Sequence, residues 1–207
     1  ITITDGKEQD ENQIKELKSL GVNVIITEKQ EDYLDESFDY VIKNPGIRFD
    51  TPTIKKAEQL GIKVINEVEL AYHFLPKNVH ILAVTGANGK TTTTTLIYEF
   101  LKAMKVPVHL GGNIGFPMCS LINNIKEGDY LVLEISAQQL HDMYDFKTEV
   151  SVLTNLTEVH LDFFGTYDYY QEMKKKIFQN QTESELAILN LDDETEIKLT
   201  NDITSSK

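Results

Sequence analysis

The chain has 207 residues, 41% hydrophobic and 26% charged, enough apolar material for one large or two small globular domains and too much for intrinsic disorder. A formal net charge of -13 argues against nucleic-acid and membrane-surface partners, both of which attract clustered Lys and Arg. The single cysteine, Cys119, excludes an intrachain disulfide and a multi-cysteine metal site, and the burial habit of cysteine predicts a small, buried apolar side chain there.

No run approaches the roughly 18 apolar residues that span a bilayer, and the start lacks a basic segment followed by an apolar one, so the chain reads as soluble and cytoplasmic. It opens on ITIT and Asp5, the body of a strand, with neither methionine nor a preceding turn; a longer natural protein is expected. Strand-length apolar runs then alternate with helix-period segments from end to end, the pattern of an α/β fold with parallel sheets and crossover helices. Strands are predicted to begin at Ile1, Val22, Tyr40, Lys63, Val79, Val106, Tyr130, Val150 and Leu186. Helical spacing covers Asn12 to Leu20 and Thr53 to Leu60, each followed by a glycine, Gly21 and Gly61, where a C-terminal cap is expected. The stretch Leu75-Pro76-Lys77-Asn78 breaks a helix ending near Phe74, which places a boundary between a domain of residues 1–77 and one of 78–207.

At that boundary the apolar strand Val79 to Val84 runs into TGANGKTTTTT, and Leu96 to Met104 continues as an apolar-periodic helix. Strand, glycine loop, Lys-Thr and helix is the layout of a phosphate-binding loop. Gly86 and Gly89 allow the backbone N–H groups of Gly86, Ala87, Asn88 and Gly89 to turn inward around phosphate oxygens, and the helix N-terminus at Lys90, Thr91 and Thr92 adds positive dipole. Lys90 can reach the outer phosphates and the Thr91 hydroxyl can ligate magnesium. The generic motif would need glycine at position 84, which is valine; the shorter form TGANGKT is what this chain carries.

Three later segments each follow a predicted strand, where an α/β sheet places its ligand crevice. LGGNIG, Leu110 to Gly115, permits close backbone approach and puts the Asn113 amide beside it. LVLEISAQQL, Leu131 to Leu140, ends a buried strand on Glu134, a carboxylate suited to a magnesium ion beside a phosphate loop, with Ser136 following. NLTEVHLDFFG, Asn155 to Gly165, places His160 and Asp162 after a strand. Beyond it Tyr170, Lys174 and Ile177 share one inward helical face, whereas Lys175 and Lys176 rotate away.

In combination, TGANGKTT, LGGNIG, EISAQQL, NLTEVHLD and the Tyr170–Lys174–Ile177 spacing resemble the Mur ligase family in order and rough spacing, tightly over residues 79–190 and loosely before. The Gln139-Leu140 ending with GGNIG is most similar to the members that add D-glutamate. Ala137, Gln138 and Val159 depart from the serine, phenylalanine and aspartate that the family often carries there. The resemblance implies a truncated Rossmann-like domain ahead of an incomplete P-loop ATPase-type domain. It also implies ATP and Mg2+ as cofactors, UDP-N-acetylmuramoyl-L-alanine and D-glutamate as substrates, an acyl-phosphate intermediate on the way to peptidoglycan precursors, and a monomer.

It further implies catalytic roles for Lys90, His160 and Lys174, the last matching a carbamylated lysine, and metal contacts from Thr91, Glu134, His160 and Lys174. Substrate contacts are implied for Asp5, Gly6, Lys7, Pro45, Gly46, Asn113, Ser136 and His160. Against the family pattern, the first strand with its glycine loop, the adenine-holding part of the central domain and the amino-acid-binding third domain are missing, so these 207 residues by themselves are expected to bind rather than ligate. A sister Mur ligase or a folylpolyglutamate synthase-like ligase is the alternative. A P-loop switch GTPase would carry an N-K-x-D segment, which this chain lacks.

Overall fold

The computed structural model describes residues 1–199, 201 and 203–206. It divides into two compact units, one of Ile1–Val41 and Ile47–Val64, the other of Ile42–Gly46 and Ile65–Lys207. In the first unit strand β1 (Thr2–Asp5) leads through helix α1 (Glu11–Ser19) to β2 (Asn23–Ile26), and the two strands pair in parallel with Thr2 opposite Asn23. Asp10 starts α1 by accepting hydrogen bonds from the backbone N–H groups of Asn12 and Gln13, and Gly21 ends it in the left-handed conformation, φ 80°. Strand β3 (Tyr40–Ile42), helix α2 (Pro52–Gln59) and strand β4 (Lys63–Ile65) follow, β3 and β4 forming their own two-stranded sheet. Pro52 sets the first turn of α2, and Ile54, Ala57, Ile62, Val64 and Leu34 make the small core of this unit.

The second unit takes up helix α3 (Glu67–Tyr72), which the sequence places with the first domain. The physical reason lies in two buried polar side chains. The Asn66 amide donates to the Gln139 carbonyl, and the Glu69 carboxylate accepts from the backbone N–H groups of Asp145 and Phe146, at 2.7 and 3.1 Å. Both side chains are wholly buried, so their partners in the later chain are obligatory.

Next come β5 (His80–Thr85), α4 (Lys90–Ala103), β6 (Val108–Gly112), α5 (Met118–Leu121), β7 (Tyr130–Glu134), α6 (Ala137–His141), β8 (Val150–Leu153), α7 (Leu161–Phe164), α8 (Tyr167–Lys175), β9 (Leu186–Ile188) and α9 (Glu194–Leu199). Five strands form one parallel sheet in the order β6-β7-β5-β8-β9. Ile81, Ala83 and Val84 of β5 and Leu131, Val132 and Leu133 of β7 are all buried, as central strands covered on both faces require. From β5 the chain crosses to β6 and β7 on one side and later to β8 and β9 on the other. The carboxyl end of β5 is therefore the point where strand order reverses, and open α/β sheets bind ligands there.

One expectation is corrected. Cys119 is exposed, with its Sγ 3.2 Å from the Glu67 carbonyl and its thiol pushed up to about 11, first by desolvation and then by the Glu67 charge. The apolar period of α4 marks a helix but not its buried face: Leu96, Phe100 and Met104 are 51%, 67% and 69% exposed, while Thr94 is buried against the sheet. Among the described residues no helix is long and apolar enough to cross a membrane.

Candidate active site

The glycine loop after β5 is held by the chain that leaves β8. Ala87 donates its backbone N–H to the Asn155 carbonyl (2.9 Å), Asn88 donates to Asn155 Oδ1 (2.9 Å), and Asn155 Nδ2 returns a bond to the Asn88 carbonyl (2.9 Å). Thr154 Oγ1 donates to that same carbonyl at 2.6 Å. Gly86, at φ 145°, passes so close to Thr154 that a Cβ there would sit 2.0 Å from Oγ1, whereas Gly89, also at positive φ, has nothing within 4 Å. The loop ends at Lys90, the first residue of α4, whose ammonium donates to the Ala87 carbonyl (2.8 Å) and so bends back over the loop. Gly89 takes the N-cap position without a side-chain cap, which leaves the first N–H groups of α4 available to an anion.

Glu134, at the end of β7, is 2% exposed and collects the neighbouring motifs. One carboxylate oxygen accepts from Thr91 Oγ1 (2.6 Å), the other from Asn113 Nδ2 (2.7 Å), and its carbonyl accepts the Asn113 N–H (2.8 Å). Gly112 makes this approach possible, since a Cβ there would lie 2.3 Å from the Glu134 carbonyl. A buried carboxylate beside a threonine hydroxyl is a hard-oxygen pair of the kind magnesium selects, so these residues fit that ion. Ser136 then caps α6, its Oγ accepting from the Gln139 N–H while Gln139 Oε1 accepts from the Ser136 N–H, a reciprocal capping box.

Lys174, on the inward face of α8, is 2% exposed. Its ammonium donates to Thr85 Oγ1 (2.8 Å) and to the Gly86 carbonyl (2.9 Å), from beneath the glycine loop. Burial first, and the charge of Lys90 second, hold its amine down to about 7, against a smaller opposing pull from Glu134. Lys176, the first residue of the 3-10 turn that follows α8, is half-buried and not a solvated lysine. Its ammonium donates to the His141 carbonyl (2.8 Å), and burial holds it near 8.

A cleft of about 420 Å³ brings together Lys90, Asn113, Ser136, His160 and Lys174, with Pro45 and Gly46 from the segment of residues 42–46. Lys90, Asn113, Ser136, His160 and Lys174 come from five separate sequence motifs, and Pro45 and Gly46 from a sixth segment. His160 enters α7 in the left-handed conformation, φ 57° and ψ 30°, unusual for a non-glycine residue and of the sort that collects at functional sites. Thr92 is exposed on the first turn of α4 and does not line the cleft. Asp5, Gly6 and Lys7 lie in the first unit, where the Asp5 carboxylate accepts from the Lys7 N–H (2.9 Å) and Gln9 Nε2 (2.9 Å). The sequence reading missed Thr154 and Asn155, which shape the loop, and Ala137, Gln138 and Phe163, which line the cleft; the asparagine opening the NLT segment was the available signal.

A search of the curated proteins finds a UDP-N-acetylmuramoylalanine--D-glutamate ligase of Geobacillus sp. (strain WCH70), 42% identical over all of this chain and 46% of its own length. The ligase of the same name from Lactococcus lactis subsp. lactis is 43% identical over 94% of this chain and 43% of its own. This chain thus spans about half the length of the curated relatives it matches. Among solved structures, a Neisseria meningitides UDP-N-acetylmuramate:L-alanyl-gamma-D-glutamyl-meso-diaminopimelate ligase matches all of this chain and 69% of that one, with a TM-score of 0.59 at 18% identity. MurF ligase of Thermotoga maritima, solved in complex with ADP, matches 82% and 50% with a TM-score of 0.56 at 24% identity. At those identities the likeness is one of fold alone. The sequence model of the Mur ligase middle domain matches residues 84–207, more than half of the chain, and on the strength of that match the chain belongs to the Mur ligase family.

Proposed function

We propose that this chain is the ATP- and sugar-nucleotide-binding part of a cytoplasmic ligase that joins D-glutamate to UDP-N-acetylmuramoyl-L-alanine. The observation that carries this reading is the single cleft in which Lys90, Asn113, Ser136, His160 and Lys174 meet at the strand-order reversal. The curated relatives named for that reaction support the choice of substrates.

In this reading the uncapped backbone N–H groups at the start of α4 and the Lys90 ammonium orient the ATP phosphates, the Ala87 and Asn88 N–H groups being given to Asn155 and not turned to phosphate as the sequence leads one to expect, and Lys90 stabilises the charge that develops on the transferring phosphoryl group. Thr91 and Glu134 hold magnesium, which when bound neutralises phosphate charge as a Lewis acid. The terminal alanyl carboxylate of the sugar nucleotide takes the phosphoryl group, the amine of D-glutamate displaces phosphate from the resulting acyl phosphate, and ADP and phosphate leave. Asn113, Ser136, Pro45 and Gly46 position that carboxylate within the cleft, with Asp5, Gly6 and Lys7 reserved for the uridine nucleotide. His160 completes the metal-side wall. Lys174, held near 7 and so half unprotonated at neutral pH, can add to carbon dioxide and lose a proton to become a carbamate anion. The test is phosphate release by the full-length protein given UDP-N-acetylmuramoyl-L-alanine and a panel of amino acids. Release that depends on D-glutamate is expected; release with L-lysine or diaminopimelate instead would move the protein to a sister activity.

A further inference from the structure

Residues 42–46 belong to the second unit, although the chain on either side of them belongs to the first. They end in Pro45 and Gly46, which line the cleft without a functional side chain, so whatever fixes this backbone fixes that wall. Backbone bonding contributes the Lys43 N–H to the Ile65 carbonyl (2.8 Å) and the Gly46 N–H to Asn44 Oδ1 (2.9 Å). An ion pair adds to this hold. Lys43 Nζ lies 2.7 Å from Asp142 Oδ2, with the two side chains 1% and 3% exposed; the charges touch without hydrogen-bond alignment. Asp142 is itself fixed as the C-cap of α6, its N–H donating to the Gln139 carbonyl and its Oδ1 lying 2.7 Å from His141 Nδ1. At its other end α6 begins with Ser136, Ala137 and Gln138 in the cleft. One short helix thus spans from the cleft wall to the buried charge that anchors the opposing loop.

A buried ion pair adds little stability over well-packed apolar residues of similar volume, but an unpaired buried charge is costly, so the pair selects one arrangement of the segments that carry it. We propose that the Lys43–Asp142 pair is a positioning device that holds the Pro45–Gly46 wall of the cleft in register with α6. This rests on the function proposed above, in which that wall meets the sugar nucleotide and not ATP. Lys43 and Asp142 are positioning residues; neither is among the groups that line the cleft.

The experiment uses the full-length enzyme with Lys43→Met/Asp142→Leu, which removes both charges of the pair, and Asp142→Asn, which keeps the shape and weakens the attraction. KM for UDP-N-acetylmuramoyl-L-alanine should rise at least tenfold in the first and about threefold in the second, with KM for ATP within twofold and kcat nearly unchanged. Amide hydrogen exchange, read without ligand, should quicken at Lys43, Asn44 and Gly46 and stay slow in β5. Normal KM for the sugar nucleotide in both variants, a parallel rise in both KM values, or unchanged exchange at Lys43, Asn44 and Gly46 would overturn the assignment. Wild-type protein that rejects this sugar nucleotide would instead sink the proposed function, and the exchange measurement would still decide whether the pair holds the loop.

Discussion

Gly86 and Gly89 stand three residues apart in the same loop, both at positive φ, yet the structure predicts very different costs for adding one methyl group. At Gly89, φ 79°, a new Cβ meets nothing within 4 Å, so Gly89→Ala should lose only the left-handed backbone penalty, about 1–2 kcal/mol. At Gly86, φ 145°, the residue would carry a strained backbone worth about 1–3 kcal/mol and also place Cβ 2.0 Å from Thr154 Oγ1 and 3.2 Å from both Asn155 N and O. Relieving that clash moves the threonine hydroxyl off the Asn88 carbonyl, at about 1 kcal/mol for the hydrogen bond, with overpacking of about 1–3 kcal/mol besides. Gly86→Ala should therefore cost at least about 2 kcal/mol more than Gly89→Ala, because the entropy removed from the unfolded chain is common to both and cancels. Urea denaturation of the two variants measures the difference. Adding Thr154→Ala to Gly86→Ala should recover about 1 kcal/mol or more in a double-mutant cycle. Equal costs for the two glycines, or no coupling between positions 86 and 154, would refute the argument from close approach.

Lys90→Ala should abolish ATP turnover in the full-length enzyme while leaving the denaturation midpoint close to wild type, since the residue is half-exposed at the first position of α4; near-normal phosphate release would remove it from the phosphate site. Lys174→Ala should nearly abolish ligation and recover in part with a small added carboxylate, whereas Lys175→Ala should be tolerated; steady-state rates that treat the two alike would return Lys174 to a structural role. Burial lowers Lys174 from 10.5 to about 7 in the folded chain, so the unfolded chain binds more protons between those values and stability rises with pH across that window. The cost of the buried lysine is fully present below about pH 7 and gone above the unfolded value. From pH 7 to 9 the gain from this residue is about 2 kcal/mol, read as the difference in urea stability between wild type and Lys174→Met in carbon-dioxide-free buffer; identical pH slopes would show that the amine is not desolvated.

Local chemistry made much of this protein legible from its sequence. Among the described residues, all nine strands begin within two residues of their predicted starts, and Gly21 and Gly61 end their helices as read, because strand period, helix period and glycine caps are short-range signals. The glycine loop and Glu134 were visible as motifs for the same reason, whereas His160 and Lys174 stood out only through the resemblance of the combined motifs to the family. Tertiary structure decided which faces and partners those motifs acquired. The exposed stripe of Leu96, Phe100 and Met104 has the spacing of a core face, and only the sheet's position shows that Thr94 is the buried side. Lys176 is half-buried because its ammonium reaches the His141 carbonyl, a partner that the apolar pattern around it does not encode. Asn155 and Thr154 lock the glycine loop, and Lys43 meets Asp142, across long separations in sequence. Such pairings follow from strand order and register, which are settled when apolar side chains from the whole chain are buried together, and no local window contains that information.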